Sequence, residues 1–220
     1  MGLTDATPFE TALQDCGVPP GEKATGGMKK NYTESVSHAF SEVCAHQLQA
    51  AGITRAQVPA RGRDRQFMGG LGPKGVDVYV ADEKHGLLLS SGTKGLLFDV
   101  RKNLLNRFRD MVAEALELHM RFPYAVCGHV FFVNAEAKQT EARLHGTVLR
   151  RIVVLLEGVS GRRVPADPAE VYEQLALVPV DLATGRVEIS PVDVPEALRL
   201  RSYFDRMLQS FEQRNPFYGP

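Results

Sequence analysis

The segment "YAVCGHVFFV", residues 124–133, restricts the possible folds of this chain more than any other. It is almost continuously apolar, follows a proline at 123, and is rich in β-branched and aromatic residues. A strand with one wet face alternates apolar and polar residues, so a run without alternation belongs to a strand covered on both faces. The chain must therefore bring helices to both sides of the sheet that holds it. From about Val100 to Arg121, the residues Leu104, Leu105, Phe108, Met111, Val112, Ala115 and Leu118 form one apolar helical face, and Pro123 stops the helix. An earlier helix is predicted from about Tyr32 to Ala51, with Val36, Ala39, Phe40 and Val43 at helical spacing and Gly52 as its stop.

Between these helices, strands are predicted over Val76–Ala81 and Leu87–Thr93, joined by a five-residue turn. A third helix is expected over roughly 137–157, two strands around a turn at 183–185, and a last helix from about Pro195 to Gln213. This order predicts an α/β (α+β) fold, a mixed central sheet flanked by helices. Residues 31–220 form one domain in this reading, behind a loosely ordered lead-in of residues 1–30 that is rich in Gly, Pro and Thr.

Lys+Arg and Asp+Glu number 26 each, so there is no global pull toward nucleic acid or membrane, although a local basic groove does not depend on the sum. Cys16, Cys44 and Cys127 are far apart and lack metal-ligand spacing, which predicts reduced thiols, buried packing for Cys127, and a cytoplasmic protein. No apolar stretch approaches the ~20 residues needed to span a bilayer. The acidic, polar "MGLTDATPFE" is not a secretory signal.

The chemistry concentrates in "GVDVYVADEKHGLLLSSGTKG", residues 75–95. Alternation puts Asp77, Tyr79 and Ala81 on one face of the first strand, and Leu88, Ser90, Gly92 and Lys94 on one face of the second. If the two faces coincide, Asp77 meets Lys94. A carboxylate at a strand end binds a hard divalent cation, and a neighbouring ammonium group steadies the charge that develops in phosphodiester hydrolysis. The plainer alternative is a strand-capping acid and a solvated edge lysine.

A hairpin with an acid at its start and x-Lys at its end, followed by a helix and a buried strand, resembles the PD-(D/E)xK nuclease superfamily of restriction-endonuclease-like proteins. More narrowly, "TKGLLF", "KNLLNRF", "AEALELHMRFPYAVCGHVFFV" and "GRRVPADPAEVYEQLALVPVDLATGRV" resemble a bacterial group within it, over roughly residues 74–190. The resemblance implies a restriction-endonuclease-like fold and an endonuclease acting on double-stranded DNA in restriction or phage defence, with Mg²⁺ as cofactor and Mn²⁺ as substitute. It implies Asp77 and the backbone carbonyl of Thr93 as metal ligands and Lys94 beside the nucleophilic water. Cutting two strands implies a homodimer, with a defence-system protein as a possible further partner. One departure stands out: the acid usually found two residues before the lysine is Gly92 here. Some relatives take a glutamate from the following helix, which makes Glu114 the candidate ligand, with Asp110 behind it. If no acid replaces the missing one, the chain is a catalytically inactive DNA-binding or assembly subunit.

Arg61, Arg63, Arg65 and Lys74, with Arg107 on the polar stripe of the 100–121 helix, are the candidate phosphate contacts. Arg143, Arg150, Arg151, Arg162 and Arg163 form a second basic group. Glu34 and Glu42 read as surface residues, and Asp82 and Glu83 as turn formers. His119 and His129 read as core histidines with satisfied hydrogen bonds. "GGLGPKG", residues 69–75, leads into a strand and lacks the Walker spacing, so nucleotide binding is not expected.

Overall fold

The doubly covered strand anticipated at 124–133 is the middle strand of the main sheet in the computed structural model, which describes residues 2–59, 65–141 and 146–218. In chain order the elements are α1 (Thr7–Asp15), α2 (Gly26–Ala51), β1 (Arg65–Met68), β2 (Pro73–Val76), β3 (Val78–Asp82), β4 (Gly86–Leu96), α3 (Val100–Arg121) and β5 (Val126–Asn134). They continue with β6 (Thr140–Glu141), β7 (Gly146–Thr147), α4 (Val148–Glu157), β8 (Gln174–Asp181), β9 (Arg186–Val187) and α5 (Tyr203–Arg214). The main sheet has the order β3-β4-β5-β8-β9. Its inner strands β4, β5 and β8 are parallel, and β3 and β9 close the two edges in antiparallel pairing. The fold is mixed α/β, as the patterning predicts.

Alternation along the inner strands sorts their side chains between two cores. Val126, Val130, Phe132, Ala176 and Val178 pack with α1, α2 and α5, and Cys127, Phe131, Val133, Leu175 and Leu177 pack with α3 and α4. Each layer of helices buries one half of the apolar run, which accounts for its lack of alternation. Helix α3 presents Leu104, Met111, Ala115 and Leu118 to the second core and ends on His119 and Arg121, cations suited to a helix C-terminus.

Several boundaries differ from the sequence reading. Within residues 1–30, α1 buries Phe9 and Leu13, and α2 begins at Gly26 because Thr25 accepts the Met28 N–H as an N-cap. The third helix is confined to Val148–Glu157, capped by the Thr147 side chain, with a 3-10 turn at Ala135–Lys138 ahead of it. The last helix starts at Tyr203, and residues 196–202 form two 3-10 turns in its place.

Two departures bear on the site. The strand predicted over Val76–Ala81 is broken at Asp77: β2 pairs with β1 in a separate two-stranded ribbon, and β3 pairs with β4. A bulge then sets Val80 opposite Leu89 and Ala81 opposite Leu87. The extra residue, Leu88, joins the α2 core instead of sharing a face with Ser90.

Candidate active site

The break at Asp77 creates the site. The first residue of β3, Val78, pairs with Ser91, so Asp77 lies one position beyond the ladder, across from Gly92. The Thr93 N–H therefore has no backbone partner on that edge, and the Asp77 carboxylate accepts it through Oδ2 at 2.7 Å. Thr93 itself is held from the opposite face, where its hydroxyl meets Ser41 Oγ at 2.6 Å and donates to the Ser37 carbonyl at 2.9 Å. Thr93 was expected to offer its carbonyl to a metal; the contact with Asp77 runs through its amide.

Gly92 and Lys94 point toward α3. Lys94 Nζ lies 3.5 Å from Glu114 Oε2, and both side chains are only partly exposed, 24% and 16%. A Cβ at Gly92 would stand 3.1 Å from Glu114 Oε1 and 2.6 Å from His129 Cε1. The glycine is thus not an empty ligand position, because a carboxylate from the neighbouring helix and an imidazole from β5 occupy the room it leaves. Lys94 of β4 and Glu114 of α3 thus meet beside Gly92, and Asp77, just ahead of β3, lies across from that glycine.

The electrostatics follow from this placement. Burial, together with the charge on Asp77, pushes the Glu114 carboxyl up, Lys94 opposes them, and the result is about 7. Burial and the Lys94 charge hold His129 well below its ordinary value, so the ring is neutral. His129 is 1% exposed, and among the described residues neither ring nitrogen has a hydrogen-bond partner. Its ring packs edge-on against Tyr172 at 5.8 Å, and the Tyr172 hydroxyl donates to the Met111 carbonyl of α3. The expectation of a satisfied core histidine holds for His119 and is corrected for His129. Nothing local marks that difference, since it depends on which strand residue faces the gap at Gly92.

The other candidates are dispersed. Lys74 Nζ pairs with Glu117 Oε1 at 2.8 Å, which joins the β1–β2 ribbon to α3. The glycines before it allow that approach: a Cβ at Gly70 would strike Met120, and the Gly70 N–H donates to the Glu117 carbonyl. Arg65 is exposed and lies over the Phe67 and Tyr79 rings. Arg107 lies two turns from Glu114 on the same stripe of α3 and pairs with Asp110 at 3.7 Å. Arg61, Arg63 and Arg143 lie outside the described residues. Arg150, Arg151 and Arg163 are exposed. Glu34 and Glu42 are on the surface, beside Lys30 and His38. Asp82 accepts from His85 in the turn and from the Tyr218 hydroxyl, far from the site.

Arg162 is a correction. It is not part of a basic surface but is 3% exposed, with Nη1 donating to Glu173 Oε1 at 2.8 Å. Arg214 Nη1 reaches the same oxygen at 2.6 Å, while Glu173 Oε2 accepts the Cys127 N–H at 2.7 Å and faces His119 Nε2 at 3.1 Å. Sequence reading missed this cluster because its members are remote in the chain. His119, Cys127 and Glu173 place potential ligand atoms within 4.8 Å of one another. Four donors already saturate the carboxylate, however, and both His119 nitrogens face acceptors, the second being the Ala169 carbonyl at 2.8 Å. Burial disfavours the charged ring, but the Cys127 sulfur and Glu173 outweigh it and push His119 up to about 10. Cationic groups surround the carboxylate, and this is a structural ion cluster, not a place for a further cation.

A cleft of about 1400 Å³ lies at the carboxyl ends of β4, β5 and β8, lined by Lys29, Asp99, Arg101 and Glu136 among others, and includes none of Asp77, Lys94 or Glu114. The candidate site is therefore the charged group around Gly92 and not this cleft. Among the described residues no helix is long and apolar enough to cross a membrane, and all three cysteines are free thiols. Comparison with protein-family models, with curated proteins and with solved structures finds no match.

Proposed function

We propose that the chain hydrolyses phosphodiester bonds in DNA with a divalent cation bound between Asp77 and Glu114, within a restriction-endonuclease-like arrangement of strands. The observation that carries this reading is the Lys94–Glu114 pair beside Gly92, with the Asp77 carboxylate on the neighbouring Thr93 N–H and its charge acting on Glu114. Carboxylate oxygens suit Mg²⁺ or Mn²⁺, and a divalent ion at such a site polarises a phosphate and acidifies a bound water.

The chain's own residues have separable tasks in this reading. Asp77 is held in place by the Thr93 N–H through Oδ2, and its carboxylate is the first metal ligand in this reading. Glu114, raised to about 7 by burial and by Asp77, is ready to ionise when a cation offsets that repulsion. Lys94 stands beside Glu114, where its ammonium group orients a water and offsets charge on the phosphate. Arg107 and Arg65 would contact the DNA backbone in this reading. Cutting both strands calls for two such sites, and hence a two-fold dimer.

The test is incubation of purified protein with supercoiled DNA and Mg²⁺ or Mn²⁺. Cleavage is expected, and Asp77→Ala and Lys94→Ala are each expected to abolish it. Cleavage that survives Asp77→Ala puts the chemistry elsewhere. DNA binding with neither cleavage nor metal-dependent stabilisation assigns the chain instead to the catalytically silent binding subunits.

A further inference from the structure

The charges around Glu173 have no place for a further cation, but they do favour an anion. Arg162 and Arg214 each bring Nη1 to Glu173 Oε1, at 2.8 and 2.6 Å, so two guanidinium groups share one carboxylate before His119 is counted. Both arginine side chains are more than nine-tenths buried. Arg162 Nε and Arg214 Nη2 have no hydrogen-bond partner among the described residues. A buried cation is stable only when it is paired and its donors are met, and here the protein's own carboxylate falls short of both conditions.

Both arginines line a cleft of about 670 Å³ between α5 and the segment that follows α4. Arg163 and Arg206 line it too, whereas the acids among its lining residues are Glu157 and the already saturated Glu173. Helix α5 supplies Arg206, Ser210 and Arg214 at four-residue spacing, which sets them on one side of the helix. Two neighbouring acids are engaged by other donors. Asp167 accepts the Arg163 and Val164 N–H groups, and Glu196 accepts from Arg199 and Ser202. Lys+Arg equals Asp+Glu over the whole chain, so this concentration of arginine is local.

We propose that the cleft binds a phosphate group, as inorganic phosphate or a phosphate monoester, held by Arg163, Arg206 and Arg214. Guanidinium groups present paired N–H donors that match phosphate oxygens, and a dianion offsets the positive charge that Glu173 leaves over. Ser160 and Ser210 add hydroxyl groups to the lining. The cleft is wider than phosphate alone requires, which leaves room for the organic part of a monoester. It includes none of Asp77, Lys94 or Glu114, and the proposal does not rest on the hydrolytic reading.

The experiment titrates full-length protein with sodium phosphate, with chloride balancing the ionic strength, and follows calorimetry and thermal unfolding. Saturable binding is expected with a dissociation constant of about 1 mM or below, together with a rise in unfolding midpoint that chloride does not give. Arg163→Gln and Arg206→Gln leave Glu173 and its partners in place, and each is expected to weaken phosphate binding about tenfold. Glu173→Gln removes the competing negative charge and is expected to bind phosphate about tenfold tighter, so that phosphate restores more stability to this variant than it adds to wild type. An equal rise in midpoint in wild type and in the Arg163→Gln/Arg206→Gln double variant is a general salt effect and overturns the proposal. Absence of saturable binding to wild type overturns it too, and either result leaves the hydrolytic reading standing. If Glu173→Gln or Arg206→Gln does not fold, the exposed Arg163→Gln change decides: unchanged phosphate affinity there sinks the site.

Discussion

Glu114 lies on α3 and Glu173 is hydrogen-bonded to it through His119, yet their surroundings drive the two carboxyls in opposite directions. Glu173 is fully buried, and burial alone would raise it, but His119, Arg214 and the Cys127 N–H outweigh that effect and hold it below its ordinary value. Glu114 keeps some exposure and has one lysine at 3.5 Å, and burial wins. In the first cluster the carboxylate is fully paired. The second has a carboxyl near neutrality and, among the described residues, an imidazole with neither nitrogen partnered, so its polar groups do not satisfy one another. Charged groups that satisfy one another hold a fold together, and groups left short are where binding and chemistry belong.

The sharpest way to break this contrast is by function. Asp77→Ala and Lys94→Ala are expected to lower DNA cleavage by at least about 10²–10³-fold, whereas Glu173→Gln leaves cleavage per folded molecule unchanged; a nicking assay corrected for folded fraction measures both. Stability should respond the other way. Glu173→Gln leaves Arg162, Arg214 and His119 with too little negative charge and is expected to cost about 3–5 kcal/mol in urea unfolding.

The pH dependence of the two should also oppose. Because Glu114 sits above its unfolded value of 4.5, its contribution is fully present below that value and is lost as pH rises through about 7. Glu114→Gln should therefore match wild type near pH 4.5 and exceed it by up to about 3 kcal/mol at pH 8, less whatever the Lys94 pairing contributes. Glu173 is depressed, so its contribution is present above the ordinary glutamate value and is lost as acid protonates it. Urea midpoints across pH separate the two signs, and an unchanged Glu114→Gln curve would falsify the contrast.

The smallest expected effect is steric. Gly92→Ala places a methyl against His129 and Glu114 and should cost about 1–3 kcal/mol. Combining it with His129→Ala should cost less than the two changes summed, since the ring that clashes is gone. Strict additivity would mean that the niche over Gly92 is not shared.

Much of the candidate site is legible from short-range rules. Period-two alternation brings Asp77, Gly92 and Lys94 to one side, and the polar stripe of α3 nominates Glu114, because each pattern depends only on local backbone geometry. The basic residues are harder to read. Lys74 and Arg162 look like surface charges in the sequence, but one is tied to Glu117 on another element and the other is buried against Glu173, pairings that no helical or strand spacing announces.

What the sequence by itself determined is the layered α/β frame. An apolar run without alternation requires cover on both faces, and apolar stripes at helical spacing provide it. Tertiary structure alone decided which charges are satisfied. His119 and His129 are alike in burial and unlike in partnership, because one meets Glu173 and the Ala169 carbonyl and the other meets a glycine. Hydrogen-bond partnership is set by register between strands and by how a helix lies across them, and neither is encoded within any short stretch of residues.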